Sequence, residues 1–128
     1  MQDQQLFEYA VIRIVPRVER EEFLNVGVVL YCAKTRYLNA LCRLDESRLL
    51  SFGCDADIHE LNAYLASFIA ICQGNKETGG ALAQLPVAER FRWLTATRST
   101  VVQTSKVHPG FCSNADEKLA QLFAQLVL

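Results

Sequence analysis

No stretch of this sequence approaches ~18 uninterrupted apolar residues, the length at which a membrane span becomes feasible. Its first residues, Met1-Gln-Asp-Gln-Gln, lack a basic region followed by an apolar one. No membrane partner is expected, and the expected location is the cytoplasm. Nor does either charge dominate: 13 basic and 14 acidic residues leave a net charge of -1, too little for a global field that would draw in nucleic acid or an anionic membrane. Nucleic acid is therefore not expected as a partner, and any anion site must be local. Paired cysteines are missing as well. Cys32, Cys42, Cys54, Cys72 and Cys112 are scattered without a Cys-x-x-Cys, and their odd number argues against a disulfide framework. They read as reduced, mostly buried thiols. A metal set of Cys54, Asp57 and His59 would lack the paired soft ligands of a structural zinc site. Three catalytic templates are also absent: Gly-x-Ser-x-Gly, a Gly-rich phosphate loop closed by Lys and a hydroxyl residue, and a His-Glu-x-x-His helix.

What remains is a chain of 128 residues, of which 51% are hydrophobic and 21% charged. That is enough for one packed core and too short for two of ordinary size, so residues 1–128 read as a single domain. Leu6 to Val15 is rich in β-branched and aromatic side chains, and Pro16, with no N–H to donate, ends or bulges that strand. Period two sets Tyr9, Val11, Arg13 and Val15 on one face, so Arg13 interrupts an apolar surface. Val26 to Cys32 forms a second run with Gly27 inside it. Tyr37 to Leu44 forms a third after a hairpin-length connection.

Helical spacing follows. A short helix is expected from Asp45 to Phe52, ended by Gly53. A stronger one opens on Asp57 and Glu60 in capping-box spacing and stripes Ile58, Leu61, Leu65, Phe68, Ile69 and Cys72 before Gly74. Residues 75–80 read as an exposed loop. The segment from Pro86 to about Leu94 suits a helix, though Phe91, Trp93 and Thr95 also alternate as a strand would. Thr100 to Thr104 reads as a fourth strand and His108-Pro109-Gly110 as a turn. Asn114 and Glu117 cap a last helix carrying Leu119, Leu122, Phe123 and Leu126. The fold class is α+β, a mainly antiparallel sheet of three to four strands covered by helices.

Two polar constellations stand out. The first, Arg13, Arg17, Glu19, Arg20, Glu22 and Asn25, offers guanidinium forks that match a phosphate or carboxylate, with acids to orient them. A plain surface turn with exposed ion pairs accounts for the same residue types. The second runs from Arg92 to Thr100 and on to Lys106 and His108, where hydroxyls and amides beside an Arg can cradle an anion and Trp93 can stack. Its bland reading puts Phe91 and Trp93 in the core. The acids between Asp45 and Glu60 could bind a divalent cation, but Asp45, Asp57 and Glu60 all fall at helix starts and read first as caps.

Three blocks, Tyr9-Ala-Val-Ile-Arg-Ile-Val-Pro-Arg-Val-Glu-Arg-Glu-Glu-Phe-Leu-Asn-Val-Gly-Val-Val-Leu, Phe91-Arg-Trp-Leu-Thr-Ala-Thr-Arg-Ser-Thr-Val-Val-Gln and Val107-His-Pro-Gly, occur in this order. They resemble the bacterial family catalogued as domain of unknown function 3037, across nearly the whole chain. The resemblance implies no activity, cofactor or catalytic residue; through gene neighbourhood, which is association only, it implies a HipA-like kinase as a protein partner. It also joins the two constellations. The expected site is one shared pocket of Arg13, Arg17, Glu19, Arg20, Asn25, Arg98, Ser99 and Thr100 around an anionic small molecule or an acidic partner segment, in a binding or adaptor module. The alternatives are an enzyme acting on a phosphorylated or nucleotide-like substrate, with Glu19, Glu22 or His108 as acid–base group, and a purely structural interaction protein. No cofactor is expected.

Overall fold

The structure is a computed structural model that describes residues 4–16, 20, 22–51, 57–98 and 100–128. Among them, β1 (Gln5–Ile14), β2 (Leu24–Cys32) and β3 (Tyr37–Cys42) form an antiparallel meander. β4 (Val102–Thr104) and β5 (His108–Cys112) then share the free side of β1. Five helices accompany the sheet: α1 (Glu46–Ser51), α2 (Ile58–Gln73), α3 (Lys76–Gly79), α4 (Val87–Leu94) and α5 (Ala115–Leu126). The fold is α+β, and Val11 and Val28 are direct cross-strand partners as period two requires.

Alternation decides which helix each face of the sheet receives. Ala10, Ile12, Ile14 and Val29 pack against Leu61, Leu65, Phe68, Ile71 and Cys72 of α2 and Phe91 and Leu94 of α4. Phe7, Val28, Leu30 and Cys32 face the other way, onto Ala115, Leu119 and Leu122 of α5. β1 and β2 are thus covered on both faces, which explains their nearly unbroken apolar reading. Ile12, Ile14, Val28 and Leu30 lose all contact with water, each worth about 1.5–3 kcal/mol of burial. Gly27 is required where β2 lies closest to β3, because a Cβ there would meet the Leu41 carbonyl oxygen at 2.7 Å.

Two irregularities position the polar residues. On β2, Ile12 pairs with Gly27 but Arg13 pairs with Asn25, so Val26 is an extra residue. Val26 and Leu24 stay on the α2 face, and Asn25 is turned to the α5 face opposite Arg13, as a bulge re-aims a side chain. On the far side of β1, Ile12 pairs with Thr104 and Tyr9 with His108, so Ala10 and Val11 oppose the three residues Ser105, Lys106 and Val107. Ser105 repairs that gap. Its N–H donates to the Val11 carbonyl at 2.8 Å, and its Oγ accepts the Val11 N–H at 2.8 Å while donating to the Lys106 carbonyl at 2.9 Å.

Some expectations are corrected. His108-Pro109-Gly110 is strand, not turn: Pro109 sits opposite Glu8 on an outer strand, where a missing N–H is tolerated. Gly110 lies under the Phe7 ring, whose Cζ would stand 2.6 Å from an added Cβ. Residues 75–80 are not a loop either. The Asn75 side chain accepts the Glu77 and Thr78 N–H groups and starts α3, and a 3-10 turn over Gly80–Gln84 follows. Helix prevails over strand at Val87–Leu94 because Phe91 and Leu94, not Trp93, are buried. Phe52 and Gly53 lie outside the described residues.

Candidate functional site

Arginine heads at helix ends define much of the polar architecture. The last carbonyls of a helix have no intrahelical partner and carry its negative pole. At the end of α2, Arg90 Nη1 donates to the carbonyls of Ile71 at 2.8 Å and Cys72 at 3.0 Å. At the end of α5, Arg48 Nη1 donates to Val127 at 3.1 Å and the Asn25 amide to Leu126 at 3.1 Å. At the end of α4, Arg98 Nη1 donates to Leu94 at 3.2 Å and Nη2 to Trp93, while the guanidinium lies 4.4 Å from the centre of the Trp93 ring. Arg98, expected as a site residue, is therefore a helix cap.

The same guanidinium forms part of a groove of about 420 Å³ between the start of α2, the end of α4 and the approach to β4. Glu60, Leu61, Tyr64, Trp93, Thr100 and Val101 complete most of its wall. Tyr64, Trp93 and Val101 are exposed at 39, 41 and 37%, so aromatic and aliphatic surface is open to solvent beside a fixed cation. Glu60 was expected in a capping box, yet the Asp57 carboxylate accepts only the His59 N–H, at 2.8 Å, among the described residues. Thr100 Oγ1 donates to the Val102 carbonyl at 2.7 Å, and the Gln103 amide donates back to the Thr100 carbonyl at 2.7 Å. That brace holds the approach to β4.

On the opposite face, Arg13 lies between Asn25 on β2 and Gln103 on β4. Its guanidinium stacks on Phe23 at 3.9 Å. Burial lowers its pKa from the ordinary arginine value. Among the described residues Arg13 Nε and Asn25 Oδ1 are both buried and both without a hydrogen-bond partner, and an unmet buried polar group costs on the order of 1–3 kcal/mol.

Residues 9–127 match the family described as a protein of unknown function, DUF3037. The chain belongs to that family. No curated protein and no solved structure matches it.

In this member of the family the two motif segments meet through the backbone, where the Val15 N–H donates to the Val101 carbonyl at 2.6 Å. Among the described residues, Arg13 and Asn25 do not line the groove that holds Arg98 and Thr100. Arg13 and Asn25 leave the sheet on the α5 face; Arg98 and Thr100 line the groove on the α2 face. Arg20 forms an ion pair with Glu22 at 2.7 Å, with 59 and 48% of those side chains exposed, a surface pair of the kind worth ~0–1 kcal/mol. Arg17, Glu19 and Ser99 lie outside the described residues. His108 packs against Tyr9, ring centres 5.3 Å apart and planes tilted by 37°, and does not line the groove.

Sequence reasoning took Glu60 for a helix cap and missed Tyr64, which sits off the apolar stripe of α2, Val101 before β4, and Phe23, the stacking partner of Arg13. Asp45 and Asp57 are helix caps, accepting the Arg48 N–H at 3.1 Å and the His59 N–H. Among the described residues no group of three His, Cys, Asp or Glu side chains is placed to hold a metal ion, and no helix is long and apolar enough to cross a membrane; Cys54 lies outside them. Cys32, Cys72 and Cys112 are buried free thiols and Cys42 is half-buried. Burial pushes the Cys42 and Cys72 thiols up to about 12, so neither is an activated nucleophile.

Proposed function

We propose that this protein is a binding module of the cytoplasm whose groove takes an acidic segment of a partner protein. The observation that carries this reading is Arg98, fixed by two helix-end carbonyls and the Trp93 ring at the mouth of an apolar groove, with guanidinium donors left for a carboxylate. Tyr, Trp and Arg are the side chains that most often anchor protein interfaces, and the groove volume falls within the ~300–1,000 Å³ typical of binding sites. An acidic residue of the partner pairs with Arg98 and an apolar neighbour enters between Tyr64 and Trp93. Glu60 repels acid at its own wall and so sets the direction of the segment. The family resemblance makes a HipA-like kinase the first partner to test. Of the acid–base groups of an enzymatic reading, Glu22 and His108 do not line the groove and Glu19 lies outside the described residues, so no observation favours it.

Trp93 is the only tryptophan, which makes its emission a direct report of the groove. The probe is a short peptide with one Leu or Phe among Asp and Glu residues, compared with the same peptide carrying Lys in place of the acids. The acidic peptide should change Trp93 emission saturably, Tyr64→Ala should weaken it and Glu60→Gln should strengthen it. Equal responses to both peptides, or none from either, would end the proposal.

A further inference from the structure

We propose that Arg13 and Asn25 form a separate binding point for a phosphate monoester, Arg13 holding its charged oxygens and Asn25 accepting its remaining proton. The two unpartnered atoms are complementary in kind. Among the described residues Arg13 Nε–H is a buried donor without an acceptor, and Asn25 Oδ1 a buried acceptor without a donor. They belong to directly opposed residues of β1 and β2, a juxtaposition created by the Val26 bulge. The Asn25 amide cannot turn to cure its own deficit, because its nitrogen is engaged by the Leu126 carbonyl at 3.1 Å and a flipped oxygen would face that carbonyl. Phe23, stacked on the guanidinium, fixes its plane, and a guanidinium edge presents two parallel N–H groups that match the oxygens of an oxyanion. Buried polar atoms in folded proteins nearly always have partners, so a matched donor and acceptor left open point to a group that supplies both.

The chemistry narrows that group. A carboxylate or a sulfate accepts from Arg13 but has nothing to donate to Asn25 Oδ1. A phosphate monoester in its singly charged form does both. The negative end of α5, which Asn25 itself touches, disfavours a doubly charged ligand and favours the form that keeps its proton. Nε of Arg13 is itself buried, so less of its hydration is lost when an oxyanion arrives. The site is on the α5 face and does not depend on the groove.

The test follows the side-chain N–H resonances of Arg13 and Asn25 by NMR during titration with inorganic phosphate, and with sulfate at matched ionic strength. Phosphate should shift both saturably and bind at least about tenfold more tightly than sulfate, the difference expected for one hydrogen bond to a charged ligand. Asn25→Ala removes the acceptor and should abolish that preference, whereas Arg13→Lys keeps the charge without the fork and should weaken both anions alike, with the core amide resonances confirming each fold. Free phosphoserine and a phosphoserine peptide then separate a small-molecule ligand from a modified protein segment. Equal binding of phosphate and sulfate overturns the proposal as mere charge attraction. A protected Arg13 Nε–H that ignores phosphate overturns it in favour of a resident water bridging the two atoms.

Discussion

Replacing Arg98 with Ala should lower stability and empty the groove at once, because one guanidinium performs both tasks. Removal of the head takes a cation from the end of α4, worth about 0.3–1 kcal/mol, and a stack on half-exposed Trp93, worth about 0.5–1 kcal/mol. The expected loss is ~1–2 kcal/mol. It should not be larger, since Thr95 still satisfies the Phe91 carbonyl through both its N–H at 3.0 Å and its Oγ1 at 2.8 Å, and Phe91 and Leu94 remain buried in the core. For a domain of this size the melting temperature should fall by roughly 3–10 °C. Circular dichroism melts supply that number, and the emission of Trp93 should change as its cation departs. Arg98→Lys, which keeps the charge but not the planar stack, should recover about half of the stability and little of the acidic-peptide binding. An unchanged melting temperature in Arg98→Ala would refute the capping geometry. A loss beyond ~4 kcal/mol would mean that Arg98 supports the core rather than the groove.

Two further outcomes concern the fold that carries these sites. Ser105→Ala should leave the buried Val11 N–H without an acceptor and cost about 1–3 kcal/mol, read as a lower urea midpoint at unchanged slope with faster exchange of the Val11 amide; a shift under ~0.5 kcal/mol would show that water replaces the hydroxyl. Stability should also decline above about pH 9. The Cys42 and Cys72 thiols keep their protons to about 12 in the folded chain but ionise near 8.5 when unfolded, so the folded state binds more protons in that window. The contribution is complete below the unfolded value and is lost as pH rises toward 12, at up to about 1.4 kcal/mol per pH unit for each thiol. Urea titrations at pH 8 and 10 measure it, and Cys72→Ala should flatten the slope.

The sequence made the periodic elements readable and left the compensated ones hidden. Period two identified β1 and β2, and the stripe from Leu61 to Cys72 identified α2, because a face that must be buried writes itself into every second or every third and fourth residue. β5 was hidden because proline and glycine normally punctuate strands. Here Pro109 needs only an outer position, and Gly110 only the ring of Phe7 above it, and both conditions are tertiary. The placement of Asn25 was hidden for a similar reason: strict alternation would group it with Gly27 and Val29 on the α2 face, and one inserted residue reverses it.

Arginine is where sequence and site diverge most. The segment from Pro86 to Gly110 carries four basic residues and one acid, a pattern that reads as an anion cradle. Arg90, however, spends its head on the end of α2, 18 and 19 residues away, and Arg98 spends part of its own on α4. Helix ends and anionic ligands offer an arginine the same thing, unpaired oxygens with negative charge, so composition cannot separate the two uses. Remaining capacity can do so only together with position, since Arg90 Nε is likewise buried and without a hydrogen-bond partner among the described residues. Arg98 retains donors in the groove, and Arg13 retains a buried Nε–H opposite an unmatched acceptor. Mutation of Arg98 therefore couples binding to folding, mutation of Arg13 should separate the two, and Arg90→Ala, at a residue that does not line the groove, should damage stability alone.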